Sequence, residues 1–123
     1  MTAEEKLWQL IHWLAEKTAQ GGVVWEATAA QNTFQTSFPQ YSVRIVELAY
    51  QDYRSPQFML EMLDGNGNII ERVDDIDIQK AVSTDTNNDV INTMRDLYRA
   101  ARRHALGVDT ALDSLLLELE KAS

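Results

Sequence analysis

Residues 33–50 read "TFQTSFPQYSVRIVELAY". Through the first six residues the side chains alternate, so Phe34, Thr36 and Phe38 point one way and Thr33, Gln35 and Ser37 the other. A period of two is the signature of a half-buried strand. Pro39 breaks the run, because it has no N–H to give to a ladder. Alternation then resumes, with Val43, Ile45 and Ala49 on one face and Arg44, Val46, Leu48 and Tyr50 on the other. Two strands joined by so short a break pair antiparallel, since a parallel pair needs a long crossover.

The same signal extends outward in both directions. Upstream, "VVWEAT" at 23–28 is β-branched and aromatic. Downstream, the polar loop "QDYRSPQ" leads to "FMLEML" and then "IIERV". The "DGNGN" between them reads as a hairpin turn, whose glycines and asparagines tolerate positive φ. Short connections throughout predict a five-stranded antiparallel meander. The ends of the chain are helical in period. Leu7, Leu10, Ile11, Leu14 and Thr18 line one face over 4–19, Thr2 and Glu5 form a capping box, and "QGG" stops the helix. After the sheet, "DDIDIQKAV" predicts a short helical turn whose clustered aspartates cap a helix and stay solvated. Two helices follow the polar loop "STDTNND". One runs from about Asp89 to Leu106, and the other opens on Asp109 as N-cap and buries Leu112, Leu115, Leu116 and Leu119. The expected fold is a single α+β domain over 1–123: an N-terminal helix, a five-stranded antiparallel meander and two C-terminal helices packed on one face.

The elements Lys17-Thr18, Trp25-Glu26, Thr33-Phe34 with Phe38, Leu97-Tyr98 with Ala101-Arg102-Arg103, and the hinge from Ala105 to Asp109 together span nearly the whole chain. This pattern resembles a family of small bacterial and phage cytosolic α+β proteins. The resemblance implies the fold and a bacterial or phage source. It implies no activity and no site residues.

Composition narrows the chemistry. Lys+Arg 11 against Asp+Glu 19, a net charge of −8, argues against direct nucleic-acid binding, which needs a basic face. No apolar run approaches the roughly 20 residues of a membrane helix. The absence of cysteine removes thiolate chemistry and disulfides, and with no secretory signal pattern it points to the cytoplasm. His12 and His104 sit on different predicted helices, and no nucleophile elbow or phosphate-cradling loop accompanies them. "DGNGNIIE" places Asp64, Asn66 and Asn68 like a calcium loop, but Ile69 stands where glycine is required and Asp75 where glutamate is. No cofactor, metal or catalytic residue is therefore expected.

Two features remain. "RDLYRAARRHALG" at 95–107 gathers Arg95, Arg99, Arg102 and Arg103 on one stripe of an amphipathic helix, within about 100° of each other at 100° per residue. Ile91, Met94, Leu97, Tyr98, Ala101 and Ala105 fill the other side, with His104 towards it as a core or C-cap residue. Such a stripe meets carboxylates of its own chain or solvent, a partner protein, or a bound phosphate. Trp13 lies outside the apolar arc of the first helix, either wrapping the rim of the sheet or belonging to an interface, while Trp8 stacks on His12. The expected function is a small non-enzymatic binding or accessory protein that acts through a protein–protein interface, with a protein partner or self-association. The alternatives are an anionic-ligand binder that uses the arginine stripe and an acidic inhibitor of a nucleic-acid enzyme.

Overall fold

The computed structural model describes residues 2–49, 55–82 and 88–122. Helix α1 (Ala3–Ala19) is followed by strands β1 (Glu26–Ala27), β2 (Thr33–Ser37), β3 (Ser42–Glu47), β4 (Phe58–Leu63) and β5 (Ile69–Asp74), and then by α2 (Asp75–Ala81), α3 (Asn88–Ala105) and α4 (Val108–Lys121). The strands form one antiparallel sheet in the order β1-β2-β3-β4-β5. The expected α+β meander is thus the observed one. Its first strand is shorter than predicted, because Val23 and Trp25 enter the core from an irregular segment.

Local chemistry sets the boundaries. The Thr2 hydroxyl accepts from the Glu5 amide at 3.1 Å and starts α1. At 64–68 the Asp64 carboxylate accepts from the Asn66 and Asn68 amides, each at 2.9 Å, and Gly67 takes φ 84°. Those amide donors, the Asn68 bond first, hold the Asp64 carboxyl below its ordinary range. The segment is a tight hairpin.

One sheet face is built from the cross-strand row Phe34–Ile45–Leu60–Val73. Helix α3 seats Val90, Met94, Leu97, Tyr98 and Ala101 on it, and α1 adds Leu7, Ile11 and Leu14 against α3. The Tyr98 ring sits between Phe34 and Phe58, at centroid distances of 5.6 and 5.7 Å. Trp25 is buried, and its indole N–H donates to Thr18 Oγ1 at 2.9 Å, tying the sheet entrance to α1. The opposite face carries a polar row, Gln35–Arg44–Glu61–Arg72. Arg44 Nε donates to Gln35 Oε1, and Arg72 Nε pairs with Glu61 Oε2, both at 2.8 Å.

Several expectations on residue faces are corrected. Phe38 does not share the core with Phe34. The strand ends at Ser37, the Phe38 amide bonds the Tyr41 carbonyl to close the turn around Pro39, and the ring is exposed. Thr33, expected outward, is buried beside its cross-strand partner Val46, which is itself buried. Tyr50 lies outside the described residues. Asp75 is not solvated. Asp74 and Asp77 make the capping box of α2, while Asp75 turns inward and accepts the Gln57 and Phe58 amides at 2.9 and 3.1 Å.

The largest correction concerns α4. Its N-cap is Gly107, in the left-handed conformation with φ 63°, rather than Asp109. None of its residues is buried: Leu112, Leu115, Leu116 and Leu119 are 45%, 58%, 63% and 68% exposed. The leucine periodicity is real, but it points to solvent.

Urea unfolding should separate the two phenylalanines. Phe34→Ala is expected to cost about 3–5 kcal/mol through lost transfer energy and a cavity. Phe38→Ala should cost under about 1 kcal/mol.

Candidate functional site

The arginine stripe exists, and the fold divides it. Because α3 is anchored by its apolar side, the arginine side faces outward. Arg95, Arg99 and Arg102 line a cleft of about 350 Å³ with Tyr98 and with Glu47, Gln57 and Phe58 from the sheet. Arg95 is held in place: it donates to Asn92 Oδ1 at 3.0 Å and to Gln57 Oε1 at 3.3 Å. Gln57 is itself fixed by its amide bond to Asp75, so a buried carboxylate positions the cleft's first arginine through one intermediate residue. Among the described residues, neither Arg99 nor Arg102 forms an ion pair. Arg103 lies at the margin and turns away to pair with Asp109 of α4. Both partners are well exposed, so that pair contributes about 0–1 kcal/mol.

A second, more apolar recess adjoins the first at Arg102. It is lined by Ala27, Thr28, Ala30, Gln31, Phe34 and Leu106. Arg102 therefore stands between a polar cleft and an apolar one, within reach of either.

Trp13 is not brought to this region. It lies on the outer side of α1, 53% exposed, with Lys17 Nζ 5.8 Å from its ring centroid. Trp8 does meet His12 edge to face at 4.2 Å, as the spacing on α1 predicts. Of the two expectations for His104, core or C-cap residue, the core one is corrected, since the side chain is exposed. Its carbonyl accepts from the Gly107 amide where α3 ends.

Two titratable groups are displaced from their ordinary ranges. Burial, reinforced by the Glu47 charge and opposed by Arg102, raises the Tyr98 hydroxyl. Burial likewise raises the Asp75 carboxyl, and the neighbouring Asp74 charge adds to it, against the lowering effect of the amide donors. Oδ1 of Asp75 is buried without a hydrogen-bond partner. Among the described residues, no group of three or more His, Cys, Asp and Glu side chains converges as a metal site. No described helix is long and apolar enough to cross a membrane.

Sequence reasoning missed two features. One is the Arg44–Glu61–Arg72 row, whose members come together only through strand register. The other is the solvent-facing direction of the α4 leucines. No family model matches the chain, and neither does any curated protein or solved structure.

Asp75 yields a prediction with a definite sign. Its folded pKa is raised, so its contribution to stability is full below the unfolded value of about 3.9 and is lost as pH rises through the folded value. Asp75→Ala should cost about 1–3 kcal/mol, because two backbone N–H groups lose their acceptor. Asp75→Asn should cost less, and it should flatten the stability profile in urea melts across acid pH.

Proposed function

We propose that this chain is a small binding protein without enzymatic chemistry, acting through a protein–protein contact carried by α4. The observation behind this reading is the exposure of Leu112, Leu115, Leu116 and Leu119 along a helix with no buried residue. An isolated helix of 14 residues is marginal in water, and fully burying each leucine contributes about 1.5–3 kcal/mol. A contiguous apolar stripe of this kind marks an interaction surface. The lack of cysteine and the resemblance to small bacterial and phage proteins support a cytoplasmic setting.

Affinity capture from the source cells tests the reading. Wild-type bait should retain α4-dependent partners, including further copies of itself, that a Leu112→Ser, Leu116→Ser double variant loses. Identical captured sets would contradict it.

A second reading has its own support. Arg95, Arg99 and Arg102 share one cleft with Tyr98 and Gln57, and guanidinium groups suit planar, bidentate capture of phosphate or carboxylate. A thermal-shift screen against nucleotides tests it. Stabilisation of wild type that an Arg99→Gln, Arg102→Gln variant lacks would promote the ligand reading, whereas equal responses would retire it.

A further inference from the structure

Two anomalies stand side by side in this chain. An acidic protein gathers Arg95, Arg99, Arg102 and Arg103 on the outer side of α3, with only Asp96 among them to offset the charge. The next helix carries a bare leucine face bordered by acids. At 100° per residue, Val108, Leu112, Leu115, Leu116 and Leu119 fall within about 100° of one another. Asp109, Asp113 and Glu120 border one side of that arc, and Glu118 borders the other. The spacing of Val108, Leu112, Leu115 and Leu119, four then three then four, is the seam of a two-heptad coiled coil.

We infer that a second copy of this chain covers the leucine face, in an antiparallel two-fold pair of α4 helices whose acidic flanks reach the partner's α3 arginines. The inference rests on the reading of α4 as a contact helix and names its occupant. Charge decides the orientation. α4 carries Asp109, Asp113, Glu118 and Glu120 against Lys121, so a parallel pair sets acid beside acid and leaves its C-terminal acids at the far end from the α3 arginines. An antiparallel pair moves the acidic C-terminal end of one α4 beside the start of the other, immediately after the partner's Arg99, Arg102 and Arg103. Within one chain this chemistry is already used once, in the Arg103–Asp109 pair across the hinge. Gly107 makes the exchange geometrically available. Its left-handed turn ends α3 and directs α4 away, while Leu106 stays 49% exposed beside the Arg102 recess. The isologous arrangement closes on itself, so it yields a dimer rather than a filament.

The test uses the full chain. Light scattering behind a sizing column should give twice the 14.0 kDa monomer mass at micromolar concentration. Leu115→Asp should raise the dimer dissociation constant about 100-fold, as loss of a central interface residue does, while the urea midpoint of the core outside α4 stays unchanged and circular dichroism loses only the helical signal of α4. Arg99→Glu with Arg102→Glu should loosen the dimer about tenfold or more, for loss of partner charge pairing. Orientation is read by cross-linking, since the chain has no cysteine of its own. Antiparallel pairing of this seam sets Leu112 against the partner's Leu115 and Val108 against the partner's Leu119, so a mixture of the Val108→Cys and Leu119→Cys proteins should oxidise to a mixed cross-link, and neither should cross-link well alone. A monomer at high micromolar concentration, a dimer indifferent to Leu115→Asp, or self-cross-linking of Leu119→Cys would each overturn the inference. A monomer that still captures another protein through α4 would overturn this inference and leave the reading of α4 as a contact helix standing.

Discussion

The seating of α3 on the sheet is the contact on which the rest of the structure depends. Val90, Met94, Leu97, Tyr98 and Ala101 commit one side of that helix to the core, and α1 is held in place largely by packing on α3. The Tyr98 ring between Phe34 and Phe58 joins helix to sheet at the place where the cleft opens. Once this side is buried, the opposite side must face water, and that side holds the arginines. The cleft is therefore a consequence of core packing. Asp75 then refines it, fixing Gln57 and through it Arg95.

The same anchoring explains why α4 stands apart. The core of that layer is built by the sheet with α1, α2 and α3, and α4 contributes no buried residue to it. Gly107 turns the chain away, and the leucines that would have joined a larger core stay in solvent. Their neighbours are acidic, whereas the adjoining helix is basic. A core that is complete without α4 and a helix with a ready-made seam together make a contact helix the economical account of the C-terminal segment.

Most of the architecture was legible in the residues. The strands at 33–37 and 42–47, the Asp64–Asn68 turn and the Thr2 side-chain cap each arise from local chemistry, and each is present. The failures came where an element ends or faces a choice of neighbour. Phe38 keeps the alternation of its strand, but the turn at Pro39 takes it off the sheet. Thr33 reads as outward, yet it is buried beside its cross-strand partner Val46. Leucines at helical spacing look the same whether the surface that covers them belongs to this chain or to another, so periodicity alone could not place α4. The four arginines were found on one stripe, but the separation of Arg103 towards Asp109 depends on the angle at Gly107, which the spacing does not contain.

The central claim is that α4 lies outside the cooperative core and is stabilised by association. Amide hydrogen exchange measured at two protein concentrations tests it most directly. At nanomolar protein, the amides of Ala111 to Lys121 should exchange nearly as fast as an unfolded chain, while those of Met94 to Ala101 open only with global unfolding. At high micromolar protein, α4 should gain protection and α3 should not change. Protection of α4 equal to that of α3 at both concentrations would contradict the account.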